Sequence, residues 1–124
     1  MSLASSVSAD VLINAGGPAT GAYVADRNFN GGSAYTFGTQ SGVYNTERWS
    51  TTSFSYAIPV TPGQVEVTLR FRESCTSCGT RSFRVDAEGQ VVLASHSVPV
   101  NTVADRTFIV TTDATLNLDF TRIV

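Results

Sequence analysis

The chain has 124 residues, of which 42% are hydrophobic and 15% are charged, and its formal net charge is −2. This length suits one domain with its own core, and the hydrophobic fraction argues against disorder. The absence of a basic stripe argues against nucleic acid or a membrane surface as a partner, and no apolar run approaches the roughly 18 residues of a membrane span.

The first ten residues are expected to lie outside the domain. Met1-Ser2-Leu3 is typical of a scar left by an expression vector, and residues 4–9 form a small-residue leader without the hydrophobic region of a signal peptide. The sequence DVLINA, residues 10–15, then predicts a short apolar strand. We therefore expect a single domain over residues 11–124.

Residues 16–53 form a long irregular segment with little alternation and many Gly, Asn, Tyr and Thr residues. A long irregular segment inside a compact domain is usually functional. Its aromatic residues, with polar side chains between them, make this segment the place to look for a binding site.

One stretch of this segment, DRNFNGGS, matches the first half of a calcium loop. Asp26, Asn28 and Asn30 alternate and are followed by Gly31. An EF-hand loop requires a bidentate Glu at its twelfth position, where this chain has Phe37, and it requires flanking helices. The stretch is therefore expected to be a polar turn, in which Asn and Gly tolerate left-handed backbone.

Period-two alternation dominates the remaining chain and predicts short half-buried strands. The alternating segments are FSYAIPV (54–60), QVEVTLRF (64–71), RSFRV (81–85), VVL (91–93), RTFIVTT (106–112) and TLNLDF (115–120). RSFRV and VVL flank Gly89 and predict a hairpin. The side chains predicted to be buried are Val67, Leu69, Phe71, Phe83, Val85, Phe108, Leu116, Leu118 and Phe120. Strands of this length and spacing indicate an all-β, antiparallel β-sandwich.

The two cysteines, Cys75 and Cys78, form a C-x-x-C pair. A zinc site needs more ligands than the one other soft ligand, His96, supplies. A thioredoxin-like redox pair needs a helix, and nothing in this sequence predicts one. The remaining choices are a disulfide that pins a loop and two free thiols. We expect the disulfide, and with it an oxidising compartment.

Three sequence pieces occur in a fixed order: INAGG (13–17), FNGGSAY (29–35) and VYNTERW (43–49). They are followed by FSYAIPV, VEVTLRFRE and RSFRVDAEGQVVL. This ordered series resembles the malectin and malectin-like family of carbohydrate-binding β-sandwich modules, over about residues 11–120. The resemblance implies a jelly-roll-like sandwich with the sugar site on loops at one end. It also implies a structural role for Asp26 and the glycines that follow it.

The resemblance also implies candidate sugar-binding residues. A pyranose has apolar faces, which aromatic rings cover, and polar edges, which amides and charged groups bond. The tyrosines of the family that contact sugar map onto Tyr35 and Tyr44, and Asn45 and Arg48 are expected to bond hydroxyl groups beside them. Trp49 is a further candidate for a sugar contact, although tryptophan more often packs in a core.

Alternative roles and two departures accompany this assignment. Glu47 and Arg48 are alternatively expected to fix the loop through an ion pair and backbone bonds. Malectin has an aromatic pair after the strand matching RFRE, and here Cys75-Thr76 takes its place, so affinity is expected to be weak, on the order of 0.1–10 mM. The closing strand of the family after TLNLDF is expected to be missing, which predicts an open sheet edge and a homodimer formed through it.

The function predicted from the sequence is a non-catalytic carbohydrate-binding module of a secreted or cell-surface protein, with an oligosaccharide or glycan as partner and with no cofactor or metal. The alternative is a structural or adhesive interaction module of the same fold. Catalysis is not predicted: glycoside hydrolysis needs two carboxyls on one cleft, and the separation of Asp26 and Glu47 is not fixed by the sequence. His96 lacks a nearby nucleophile-elbow motif, and a lone histidine of this kind is usually exposed.

Overall fold

The computed structural model describes the backbone of residues 2–5 and the whole of residues 11–124. These described parts contain β-strands and one 3₁₀ turn at Gly42–Asn45. The strands are β1 (Ser2–Ser5), β2 (Val11–Asn14), β3 (Val24–Ala25), β4 (Phe29–Asn30), β5 (Ser33–Thr36), β6 (Thr46–Trp49), β7 (Ser53–Pro59), β8 (Gly63–Leu69), β9 (Phe83–Ala87), β10 (Gln90–His96), β11 (Arg106–Thr112) and β12 (Thr115–Arg122). No helix in the described ranges is long and apolar enough to cross a membrane.

The strands form two five-stranded sheets and a separate two-stranded ribbon. The first sheet has the order β11-β8-β1-β2-β3, the second has the order β10-β9-β12-β7-β4, and β5 pairs with β6 in the ribbon. The named strand pairs are antiparallel except for the short parallel pair of β2 and β3. The predicted all-β sandwich is confirmed. β1 falls within the residues that were expected to precede the domain, so the first sheet includes part of them.

The core lies between the two sheets, because alternate residues of their strands point inward. β8 contributes Val65, Val67 and Leu69, which are at most 2% exposed, and β12 contributes Leu116 and Leu118, which are fully buried. Of the side chains predicted to be buried, six are buried: Val67, Leu69, Val85, Leu116, Leu118 and Phe120. Three phenylalanines are only partly buried and pack against the edge of the core: Phe71, Phe83 and Phe108.

Two kinds of turn connect these strands. β9 and β10 form the predicted hairpin, whose central residues Glu88 and Gly89 both have positive φ, +52° and +76°. Positive φ at both positions matches the type I′ turn that suits the twist of paired strands. The turns after β7 and β11 instead carry the chain from one sheet to the other. After β11 the turn is closed by the Thr115 amide, which donates to Asp113 Oδ1 at 2.9 Å.

The open sheet edge that was expected beside the last strand is not found there. β12 is paired on both sides, with β7 and with β9, so no open edge lies at this strand. Among the described residues β11 pairs with β8 alone, and its Ile109 is 66% exposed. The homodimer stays a prediction, and its candidate edge moves from the last strand to β11.

Candidate functional site

The irregular segment is organised around the carboxylate of Asp26. Its Oδ2 accepts hydrogen bonds from the Gly16 amide (2.7 Å) and from Arg48 Nε (2.8 Å), and its Oδ1 accepts one from the Tyr56 hydroxyl (2.7 Å). Burial raises the pKa of Tyr56, and the hydrogen bond to Asp26 acts in the same direction. Both carboxylate oxygens therefore serve the fold, as the resemblance implied for Asp26.

The INAGG and NTERW pieces meet in space, which explains why they occur together. Gly16 has a φ of +76°, and a Cβ added there would lie 2.0 Å from the Glu47 carbonyl oxygen of β6. The Thr46 hydroxyl contacts the Ala15 carbonyl at 3.0 Å, and the buried Asn14 donates from Nδ2 to the Pro18 carbonyl at 2.8 Å. These bonds seat the start of the irregular segment directly against β6.

Arg48 also serves the fold. Its side chain is 7% exposed, its Nη1 donates to the Gly31 carbonyl at 3.1 Å, and its guanidinium lies 3.6 Å from the centre of the Phe29 ring. Arg48 does form an ion pair that fixes the loop, but its partner is Asp26 and not Glu47. Consecutive residues of a strand point to opposite faces, so Glu47 and Arg48 lie on opposite sides of β6.

Asn45 shapes the loop before the ribbon. Its Oδ1 accepts hydrogen bonds from the Gly38 amide (2.9 Å) and the Gln40 amide (3.2 Å), while its carbonyl accepts one from the Phe37 amide (2.8 Å). The amide oxygen that was expected to bond sugar hydroxyls is thus committed to the loop backbone.

The outer face of the ribbon carries two exposed aromatic rings. Tyr35 lies opposite Glu47, and Ser33 lies opposite Trp49, so all four side chains share one face. Tyr35 is 53% exposed and contacts Phe37 edge-to-face, with ring centres 5.1 Å apart, and Trp49 is 38% exposed. The register therefore places Glu47 beside both Tyr35 and Trp49.

Tyr44, in the 3₁₀ turn, is held through its hydroxyl. The hydroxyl donates to Asp105 Oδ2 at 2.9 Å, and this carboxylate oxygen of Asp105 also accepts a hydrogen bond from Arg70 Nη1 at 3.0 Å. Arg70 Nε in turn donates to the Tyr23 hydroxyl at 3.0 Å. Burial raises the pKa of Tyr44, and Asp105 acts in the same direction. This network fixes Tyr44 between the ends of β8 and β11.

A cavity of about 410 Å³ lies at one end of the sandwich, where β7 and β9 begin and β8 and β12 end. Buried side chains form its floor: Tyr56, Leu69 and Phe120. Its walls include five further aromatic residues: Tyr44, Trp49, Phe54, Phe71 and Phe83. They also include five half-buried or buried charged residues: Glu47, Arg48, Arg72, Glu73 and Arg81. An apolar floor with a few convergent polar groups is the usual form of a small-molecule site.

The charged groups of the cavity differ in how well they are paired. Glu73, 8% exposed, accepts from the Cys75 amide (2.9 Å) and pairs through Oε2 with Arg81, whose Nε lies 2.9 Å away. Burial raises the pKa of Glu47, and the nearby Arg81 counteracts this in part. The Nε atom of Arg72 is buried and has no hydrogen-bond partner among the residues that the structure describes.

Cys75 and Cys78 are joined in a disulfide, with their Cα atoms 5.5 Å apart. The bond closes the loop between Glu73 and Arg81, and Cys78 lines the cavity. In the described part of the chain, no group of three or more His, Cys, Asp or Glu side chains could hold a metal ion. The loop occupies the place where the resemblance expects an aromatic pair.

His96 is buried, against the expectation of an exposed side chain. It is 5% exposed, and its ring centre lies 5.0 Å from that of Phe71 and 5.4 Å from that of Phe83. Burial lowers its pKa. His96 thus supports two aromatic residues of the cavity wall from behind.

The structure regroups the predicted site residues. It brings Tyr44 and Trp49 to the cavity and places Tyr35 on the same ribbon face as Trp49. It commits the side-chain oxygen of Asn45 and the Nε and Nη1 groups of Arg48 to the fold. The sequence analysis did not assign Phe71, Phe83, Arg72, Glu73 or Arg81 to a site. The available signal was the inward alternation of Phe71 and Phe83, together with the position of Phe71 at the end of a predicted strand, where side chains line an opening.

Comparison with known proteins gives a family and a fold. The Malectin domain family matches residues 9–121. A comparison with curated proteins found no match. Among solved structures, a β-glucuronidase from Bacteroides uniformis is similar with a TM-score of 0.75 at 16% identity, over 92% of this chain. Bacteroides uniformis β-glucuronidase 2 is similar with a TM-score of 0.73 at 16% identity, also over 92% of this chain.

At this identity the likeness shows the fold alone. The chain spans 16% of the length of either β-glucuronidase chain. A family 35 carbohydrate-binding module from Clostridium thermocellum has a TM-score of 0.46 at 15% identity, over 79% of this chain and 78% of that one.

Proposed function

The chain belongs to the malectin domain family, and on that premise we propose that it is a carbohydrate-binding module. The observation that carries the proposal is the cavity of about 410 Å³ at one end of the sandwich, which combines an aromatic lining with half-buried charged groups. This composition suits a ring that is apolar on its faces and polar at its edges.

The aromatic rings supply the stacking surface. Trp49 lines the cavity, and Tyr35 lies on the same ribbon face and extends the aromatic surface beyond the cavity. Tyr44 also lines the cavity, and its hydroxyl is hydrogen-bonded to Asp105. A ring whose position is fixed loses little conformational freedom on binding. Asn45 and Arg48, with committed polar groups, support these rings instead of bonding the sugar.

The hydrogen-bonding edge is supplied by Glu47 and Arg72. Both line the cavity, and neither side chain has a hydrogen bond within the described residues. Their acceptors and donors remain free for sugar hydroxyl groups. With few rings and few polar contacts, affinity is expected to be weak, on the order of 0.1–10 mM.

The module is proposed to be non-catalytic. Hydrolysis of a glycosidic bond needs two carboxyl groups, one acting as acid and one as base or nucleophile. Of the two carboxyls in the cavity, Glu73 is bonded to Arg81 and to the Cys75 amide, which leaves Glu47 alone. A single available carboxyl supports binding better than it supports hydrolysis.

The proposed location is extracellular or at a cell surface, within a larger secreted protein. The disulfide between Cys75 and Cys78 supports this location, because such bonds persist in oxidising compartments. In the β-glucuronidase chain, a domain of this fold makes up 16% of the length. This supports the proposal that the present domain is an accessory module within a larger protein.

The test is a titration followed by NMR against α- and β-linked glucans, galactans and uronic acid oligomers. Trp49→Ala should weaken binding severalfold, since an aromatic contact contributes about 0.5–1.5 kcal/mol beyond its burial. Ile109→Ala, an exposed residue of β11 outside the cavity, is the matched control. Binding that is equal in wild type and in folded Trp49→Ala would place the site elsewhere.

The second candidate is a structural or adhesive interaction module. It is favoured by a group of exposed apolar side chains in the last quarter of the chain: Val100, Val103, Ile123 and Val124. The backbone of Val124 is hydrogen-bonded to that of Ser82, and Ser82 lines the cavity at the end of the sandwich. The exposed apolar residue Val124 therefore lies beside this cavity. If no member of the glycan panel shifts any resonance of the cavity residues, this second function becomes the better one.

A further inference from the structure

We propose that the cavity takes an acidic sugar: a uronic acid residue whose carboxylate pairs with Arg72 and whose hydroxyl groups bond to Glu47. This inference rests on the proposed carbohydrate-binding function and specifies its ligand class. It depends on two charged side chains of one cavity, Arg72 and Glu47, that make no hydrogen bond or ion pair of 4 Å or less with any described residue.

Arg72 stands apart from the other arginines of the cavity. Arg48, Arg70 and Arg81 each have a carboxylate oxygen within 3.0 Å of a guanidinium nitrogen. Arg122 is exposed to solvent. Arg72 is half-buried and has no ion pair within the described residues, and its Nε atom is buried without a hydrogen-bond partner. It is therefore a cation that has lost part of its hydration and gained no counter-ion.

A ligand that brings a carboxylate would supply that counter-ion. A partly desolvated cation without a partner is unfavourable, and an anion that enters the same low-dielectric space interacts with it more strongly than it would in water. A guanidinium and a carboxylate can form two parallel hydrogen bonds, which sets orientation as well as affinity. A neutral sugar would offer Arg72 only hydroxyl and ring oxygens.

Glu47 supplies the complementary half of the site. It points from the ribbon face that carries Tyr35 and Trp49 and lines the cavity, and no hydrogen bond to its carboxylate occurs within the described residues. A carboxylate accepts hydrogen bonds readily from hydroxyl groups, and it repels a second carboxylate. Glu47 would therefore bond the hydroxyl edge of the ring and turn the acidic group of the sugar toward Arg72.

The two groups together select for a ligand with both features. Glu73 and Arg81 neutralise each other within the cavity. Of the half-buried charged side chains in its described lining, Arg72 has no ion pair and Glu47 accepts no hydrogen bond. A uronic acid carries one carboxylate and several hydroxyl groups on a ring whose faces can stack on Trp49. A neutral sugar lacks the carboxylate, and a simple carboxylic acid lacks the hydroxyl groups and the ring.

The first experiment compares matched ligands on the wild-type protein. Disaccharides of glucuronic and galacturonic acid are titrated beside their neutral methyl esters and beside the corresponding glucose and galactose disaccharides, by NMR or calorimetry. The acids should bind about tenfold or more tightly than the esters, and the difference should shrink as salt is raised. Esters or neutral sugars that bind as well as the acids would overturn the acidic-sugar inference and leave the carbohydrate-binding function standing. Failure of every ligand to bind would overturn both.

The second experiment uses charge variants of Arg72. Arg72→Gln should remove the preference for acid over ester while leaving ester binding nearly unchanged, and Arg72→Lys should retain part of the preference. Arg27→Gln, which makes the same charge change at an exposed residue outside the cavity lining, is the control and should behave as wild type. An acid preference that survives in Arg72→Gln would contradict the assignment to this residue. Retention of the wild-type amide spectrum verifies that each variant is folded.

Discussion

At Gly16 the irregular segment approaches the backbone of β6 so closely that a single methyl group cannot be added. A Cβ there would lie 2.0 Å from the Glu47 carbonyl oxygen, and the φ of +76° is itself unfavourable for other residues. The close approach places Asp26 within reach of the Gly16 amide. This one residue therefore sets how the segment lies against the ribbon.

Gly16→Ala is expected to lower the free energy of unfolding by about 3 kcal/mol or more, because it combines backbone strain with a steric clash. Gly21→Ala is the matched control: Gly21 has a φ of +55° and no neighbour within 4 Å of an added Cβ, so only the strain of about 1–2 kcal/mol applies. Urea unfolding of both variants beside wild type measures the difference. Equal losses in the two variants would show that the clash at Gly16 relaxes without cost.

Asp26→Ala should destabilise the protein by about 3–5 kcal/mol, because Arg48 would remain as a buried and unpaired cation. Asp119→Ala, which removes an exposed carboxylate from β12, is the control and should change stability by less than about 0.5 kcal/mol. Urea unfolding again gives both values. A small effect at Asp26 would mean that Arg48 finds water or another acceptor once its partner is gone.

His96 gives the protein a pH-dependent stability. Burial lowers its pKa in the folded state, so the unfolded chain binds more protons at this residue. The free energy of unfolding should therefore fall as pH decreases below the unfolded value of about 6.5. Urea unfolding at several pH values between 8 and 5, for wild type and His96→Phe, isolates this contribution. If both proteins lose stability in parallel over this range, the carboxylates and not His96 are responsible.

At the scale of elements, the disulfide and the Glu73–Arg81 ion pair act on the same loop. The loop lies between Glu73 and Arg81, within the connection from β8 to β9, and closes one side of the cavity. Two bonds across a short exposed segment keep Arg81 and Glu73 in fixed positions at the cavity. The loop therefore contributes to the shape of the site although it contains no aromatic residue.

Replacing Cys75 and Cys78 by Ser should lower the free energy of unfolding by about 2 kcal/mol, the loop-closure value for a very short loop. Weaker ligand binding should accompany this loss, because Glu73 would no longer be held by an ordered Cys75 amide. Denaturation curves of wild type with and without reductant, beside the double variant, measure the effect. Unchanged stability after complete reduction, verified by alkylation and intact mass, would show that the ion pair alone fixes the loop.

The elements that could be predicted from the sequence are those whose two faces differ. β8 and β12 alternate strictly, so Val67 and Leu118 were placed in the core before any contact was known. The ribbon of β5 and β6 was missed, because its strands are short, its burial is low, and its partners are joined by a nine-residue connection. Local pattern predicts which side of a strand is buried, whereas the pairing of short exposed strands depends on tertiary contacts.

The same limit applies to the candidate site. Tyr44 was predicted because the family resemblance maps a sugar-contacting tyrosine onto it, and Trp49 was a further candidate because it is an aromatic residue of the irregular segment. Arg72 and Arg81 were not predicted as site residues, because their role depends on which carboxylates lie near them in the folded chain. Arg48 illustrates the difficulty, since its partner Asp26 is 22 positions distant in the sequence. Whether a charge is paired is a property of the folded chain and cannot be obtained from spacing.

At the scale of the whole molecule, two closed turns carry the chain between the sheets, and the strand expected to be an open edge is a central one. In the described strand order, β11 is the longer of the two edge strands of the first sheet, and it carries Ile109 at 66% exposure. A strand edge with an exposed β-branched residue is a template for pairing with a second chain. Self-association is thus expected on the β11 side, in a sheet extended across two copies.

Light scattering over a concentration series should show a dimer at high concentration for wild type, and Ile109→Lys should shift the equilibrium toward monomer by at least tenfold. The added charge would be buried in such an interface without a partner. Val91→Lys, which adds the same charge at an exposed residue of β10 in the other sheet, is the control and should leave the equilibrium unchanged. A wild-type protein that stays monomeric up to the millimolar range would contradict the predicted dimer.

The position of Trp49 has a practical consequence, because it is the one tryptophan of the chain. Its indole lies at the cavity and is 38% exposed, so the intrinsic fluorescence of the protein reports on this end of the sandwich and not on its core. A bound ring that covers the indole would shift its emission toward the blue. During unfolding, a fluorescence transition that precedes the loss of β-sheet circular dichroism would reveal that the ribbon opens before the sheets separate.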